Sequence, residues 1–255
     1  MTYATAHRPF FEVSGFRFRL WPVLFAALLM EGLLWLGQQP ARWLYKQGEF
    51  GDDQIWLYVQ LAILFQGLLG LVGIAAMKRL LPAADAHLRW PPGRGYVGLA
   101  ALIGIAMGLI MLVADFWPEL VSGTAPAAPY ALNPVDAAGW LAAMLTTGLG
   151  EETIFRGLLV GFLVVLVPGR IRAGRFDIPV AAVIVALLFG LAHWKSFQVD
   201  PFHMAAMQQL YAFTWGLIYV WLMERSRSLL APIVAHGVGN AIEVGIVMLL
   251  MSAWG

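Results

Sequence analysis

Seven apolar stretches, most of them about twenty residues long, constrain this chain more than anything else in it; they fall near 20–38, 54–77, 96–115, 137–167, 178–195, 203–223 and 229–253. In hydrocarbon a single segment can satisfy its backbone only as a helix. The expected fold class is therefore all-α: a polytopic membrane helix bundle of about seven transmembrane helices, or eight if 137–167 is two segments. A composition that is 60% hydrophobic and 12% charged excludes a soluble domain, and a net charge of +1 offers no basis for binding nucleic acid. The run 137–167 is too long to stand straight across ~30 Å of hydrocarbon. It is expected to tilt, to kink near Gly148 and Gly150, or to protrude.

Positive charge orients the bundle. Arg8, Arg17 and Arg19 precede the first span, Lys78, Arg79, Arg89 and Arg94 follow the second, Arg170, Arg172 and Arg175 follow the fourth, and Arg225 and Arg227 follow the sixth. All of these fall on one side, against Arg42, Lys46 and Lys195 on the other. The N-terminus is thus expected in the cytoplasm and, with seven spans, the C-terminus outside. Residues 1–18 lack a signal-peptide core closed by a small-residue cleavage site, so Leu20 onward is read as a retained span. The loop from Phe116 to Asp136 has no Lys or Arg and holds four prolines, which predicts an irregular external segment.

Against this background the stretch Gly148–Gly157 stands out. It places Glu151, Glu152 and Arg156 inside an apolar run, where each charge costs ~2.5 kcal/mol or more. On a helix Glu152 and Arg156 are four residues apart with the acid N-terminal, so they share a face and can neutralise each other. Glu151 lies ~100° around the helix and lacks that partner, which makes it the candidate general base. A purely structural polar knot between helices is the alternative.

Two further spans carry polar residues at helical spacing. Phe189 and His193 share a face of span five, where the ring can fix the imidazole. His236 and Asn240 share a face of span seven with Glu243, and both can donate hydrogen bonds as an oxyanion requires. A base, a second histidine and a pair of donors together suit hydrolysis without a covalent nucleophile. With no cysteine in the chain, thiolate catalysis, disulfides and Cys-type metal sites are excluded. Depth is a difficulty: His193 comes about fifteen residues along its span and His236 about seven along its own, a nominal offset of ~12 Å.

Glu-Glu-x-x-x-Arg at 151–156, Phe-x-x-x-His at 189–193 and His-x-x-x-Asn at 236–240, in that order, resemble the signature of the CAAX prenyl endopeptidase type II family. That family is also called CPBP, for CAAX proteases and bacteriocin-processing enzymes. The resemblance covers roughly 137–245 and implies an intramembrane glutamate-type peptidase. It implies that Glu151 and His193 activate water, that His236 and Asn240 stabilise the oxyanion, and that Glu152 and Arg156 support the site, with Phe189 beside His193. The expected organisation is one integral membrane domain over 1–255: an N-terminal three-helix part with the external loop over 1–136, and the catalytic core over 137–255. Its substrate is expected to be a membrane-associated or lipid-modified peptide or protein, prenylated ones included, with membrane lipid as the other partner. A compact prokaryotic-type member in the cytoplasmic membrane is the implied setting.

No cofactor is expected. Zinc would take three or four N/O ligands, of which Glu151, His193 and His236 could supply three, but His-Glu-x-x-His is missing and Asn240 is a poor ligand. The competing function class is a non-catalytic membrane scaffold or immunity protein, or a small transporter, whose polar residues line an interface or pathway. A transporter would favour internal repeats, and none is evident.

Overall fold

The computed structural model describes residues 20–89, 96–173 and 176–255. Arg8, Arg17, Arg19, Arg94 and Arg175, on which the orientation partly rests, lie outside the described residues. Helices α1 (Trp21–Gln47), α2 (Ile55–Leu80) and α3 (Val97–Ser122) form the first half. In the second half α4 (Pro134–Glu152) continues through a π-helical stretch, Thr153–Val160, into α5 (Gly161–Leu166). After these come α6 (Val180–Ala192), the short α7 (Ser196–Val199), α8 (Phe202–Ser226) and α9 (Leu230–Trp254). Each expected span is thus found as a helical run, most with ends within a few residues of the expectation. Among the described residues, five helical segments are long and apolar enough to cross a membrane: Trp21–Gln47, Asp52–Leu80, Val97–Ser122, Val180–Val199 and Leu230–Trp254.

The structure corrects the sequence reading in three places. First, the long fourth run does not break near Gly148 and Gly150. The helix widens three residues later, at Thr153, whose hydroxyl bonds the carbonyls of Leu149 and Gly150 at 3.0 and 2.9 Å and so satisfies acceptors that the change of ladder leaves poorly paired. Every residue of the π stretch is buried, and its Ile154, Phe155, Leu158 and Leu159 sit in the largest apolar cluster with Val185, Phe189 and Met223. Second, α3 continues past Phe116 to Ser122. The kink at Phe116 (φ −115°, ψ 21°) falls two residues before Pro118, whose ring cannot follow an unbroken helix.

Third, the bundle is not purely helical. Between α5 and α6 an antiparallel hairpin pairs β1 (Arg170–Ala173) with β2 (Phe176–Pro179). Charge fixes it to α8: Arg170 donates through Nε to Asp177 at 2.7 Å and through Nη1 and Nη2 to the two oxygens of Glu224 at 3.1 and 2.6 Å. Arg170 holds the Asp177 carboxyl below the usual carboxylate range. The contribution of this clasp is therefore fully present above the unfolded carboxylate value of about 3.9 and is lost as pH falls through the lower folded value. Amide protection factors in the hairpin, taken against intrinsic exchange at each pH, are expected to be flat from about pH 5 to 8 and to fall below about pH 4. The Asp177→Asn protein should lack that acid step.

Two close helix approaches set the positions that matter below. The start of α4 is tied to α2: Asn133 caps it by accepting from the Asp136 amide at 3.1 Å, and Trp56 donates to Asp136 Oδ1 at 2.8 Å. Its other end packs on α9 so closely that a Cβ on Gly237 would collide with the Leu145 carbonyl. Gly237→Ala must push α4 and α9 apart, which is expected to cost about 1–3 kcal/mol. A lowered unfolding temperature in detergent would register it.

Candidate active site

Glu152 ends α4, and α4 is pressed against α9, so its carboxylate meets His236 two turns into α9. His236 Nδ1 donates to Glu152 Oε1 at 2.8 Å, and Arg156 Nη1 donates to the same oxygen at 3.1 Å. Glu152 and Arg156 are both fully buried. The expected pair therefore forms, and it is a triad with His236. The remainder of the guanidinium is held by rings: Arg156 Cζ lies 4.5 Å from the centroid of Phe189, 5.1 Å from that of Tyr219 and 5.7 Å from that of Phe155. Gly216 on α8 makes room, because a Cβ there would stand 3.1 Å from Arg156 Nη2.

Both histidines have a tautomer set by a neighbour. A carboxylate can only accept, so His236 carries a proton on Nδ1, and its ring stacks on Tyr219 at 5.2 Å with planes 16° apart. His193, just past the end of α6, has Nδ1 2.8 Å from the Phe189 carbonyl, again an obligate acceptor, which leaves Nε2 free. Gln209 on α8 steadies the same turn by donating to the His193 carbonyl at 3.1 Å.

Glu151 behaves differently from Glu152. It forms no hydrogen bond at Oε2, and that oxygen lies 3.8 Å from His236 Nε2. This is too long for a hydrogen bond, yet both atoms can reach one third atom placed beside them. The side chain keeps 19% exposure where that of Glu152 keeps none. The split that helix geometry predicted between the two glutamates is thus visible in their surroundings.

Glu151, Phe189, His193, His236 and Asn240 line one cavity of about 250 Å³. Despite the depth offset expected between them, the two histidines line the same cavity, and Phe189 neighbours both, its ring 5.0 Å from His193 and 6.1 Å from His236. Glu243, on the same face of α9 as His236 and Asn240, lines this cavity too, as does Asp115, to which Tyr211 donates at 2.7 Å.

Sequence reasoning missed Tyr219 and Gly216. Aromatic and small residues within a span give no signal of a partner on another helix. Asp115, near the end of the third apolar run, forms part of the cavity wall.

Among the described residues no three His, Asp or Glu side chains converge as a metal site requires. Glu151, His193 and His236, the trio that could have supplied zinc ligands, line the cavity, and Nδ1 of each histidine is engaged, by Glu152 and by the Phe189 carbonyl, which leaves the two Nε2 atoms to face it.

Residues 133–242, which hold every one of the seven motif residues, match the family model described as Type II CAAX prenyl endopeptidase Rce1-like. No curated protein and no solved structure matches the chain.

Proposed function

We propose that this protein, which belongs to the type II CAAX prenyl endopeptidase family through residues 133–242, hydrolyses a peptide bond of a membrane-associated or lipid-modified substrate with water activated by Glu151. The observation that carries the reading is His236 held at Nδ1 by Glu152 while its Nε2 faces Glu151 Oε2, in a cavity shared with His193 and Asn240.

In this mechanism Glu151 accepts a proton from water, and the free Nε2 of His193 accepts the second hydrogen bond and orients the oxygen. The oxygen attacks the scissile carbonyl carbon. Negative charge then develops on the carbonyl oxygen, where Asn240 and His236 Nε2–H donate. For Nε2 to donate while Nδ1–H binds Glu152, His236 must be an imidazolium, and Glu152 supplies its counter-charge. On collapse the C–N bond breaks, and the proton held by Glu151 passes to the departing amine. No step draws on a metal.

The test is incubation of purified protein in lipid bilayers with membrane-anchored peptides, prenylated and unprenylated, with products read by mass spectrometry, with and without a chelator. Internal cleavage indifferent to chelator is the expected result. Loss of cleavage on chelation would restore a metal to the site, and no cleavage of any peptide would favour the scaffold reading.

A further inference from the structure

Helix α1 carries an ionisable group that the cavity does not use. Its exposed Trp21 and Trp43, 53% and 62% accessible, are separated by ~33 Å of helix, about the hydrocarbon thickness, and tryptophan favours the two membrane interfaces. Glu31 lies between them, ~15 Å along the helix from Trp21. It is exposed on the outer surface, in one stripe with Leu24, Leu28 and Trp35, which are 54%, 74% and 60% accessible. Elsewhere in the spans Asp115, Glu151, Glu152, Arg156 and Glu243 are buried or line the cavity. Among the described residues no cation pairs with Glu31.

We infer that the outer face of α1 around Leu28, Glu31, Gly32 and Trp35 docks a transmembrane helix bearing a lysine or arginine near its midpoint. Charge in hydrocarbon is expensive and nearly always finds an opposite charge. Trp35, one turn from Glu31 and 60% exposed, is an aromatic neighbour for the same cation. A Cβ on Gly32 would meet nothing within 4 Å, so the surface there is open to a close backbone approach. A second copy of this chain is a poor occupant: among its described residues the mid-span outer surface offers no Lys or Arg, and twofold packing on α1 would bring two Glu31 carboxyls together. Because α1 contributes nothing to the cavity lining, this surface recruits a partner or presents a substrate helix independently of the hydrolytic chemistry.

The chain has no cysteine, so Gln47→Cys gives a single labelling position near the end of α1. Energy transfer from the labelled protein in phosphatidylcholine vesicles would be measured to labelled polyleucine helices with Lys, Leu or Glu at the centre. The Lys helix is expected to bind about ten-fold tighter than the Leu helix. Glu31→Gln should bring the two within about two-fold of each other, and Glu31→Lys should transfer the preference to the Glu helix. The exposed position makes both variants compatible with folding. Equal binding of Lys and Leu helices to the unaltered protein, or a Lys preference that survives Glu31→Gln, would overturn the proposal. So would energy transfer between two copies that the Lys helix fails to displace, since that would assign the face to a dimer.

Discussion

Glu151→Gln is expected to lower the rate of peptide cleavage by about 10²–10⁴, the range a positioned general base supplies, and to leave substrate binding near that of the unaltered protein. Size and most hydrogen bonding survive the change; the capacity to take a proton does not. Stability should move by less than about 1 kcal/mol, because Oε2 makes no hydrogen bond and the side chain faces the cavity. Single-turnover rates beside thermal unfolding in the same detergent separate the two effects. A variant that unfolds early would point to a structural carboxylate instead.

Arg156→Leu is expected to act in the opposite sense, destabilising the fold by about 3–5 kcal/mol. Glu152 would remain fully buried with only His236 beside it, and three aromatic rings would lose the cation they enclose. The unfolding temperature should fall on the order of 10 °C. Arg156→Lys should recover little, since an ammonium lacks the flat guanidinium face that lies over Phe189. The double change Glu152→Leu with Arg156→Leu should regain part of the lost stability, because an apolar pair leaves no buried charge uncompensated. Its catalysis should stay low, since His236 would lose the acceptor at Nδ1.

Much of the bundle could be read in the sequence because spans are long and lipid demands that the backbone be satisfied within them. The apolar runs fell close to the helices for that reason. Residues of one face were also legible: Glu152 and Arg156 do pair, and Glu151, His193, His236 and Asn240 do line one cavity. What composition did not reveal were features set by contacts across the bundle. The hairpin at 170–179 is short and mixed, and its clasp depends on Glu224, fifty-four residues from Arg170. The π-helical widening changes the ladder without changing the residues' hydropathy. Tyr219 closes the site from α8, where an aromatic residue in a span has many bland uses. The depth offset misled because boundaries counted along the chain ignore how far one helix slides against another.

The most direct measurement compares Glu151→Gln and Glu152→Gln side by side, on one membrane-anchored peptide, with cleavage time courses and unfolding curves from the same preparations. The account predicts that Glu151→Gln abolishes turnover in a protein that unfolds like the original, and that Glu152→Gln, which removes the fully buried negative charge facing Arg156 and His236, lowers the unfolding temperature. Turnover that persists in Glu151→Gln would contradict it.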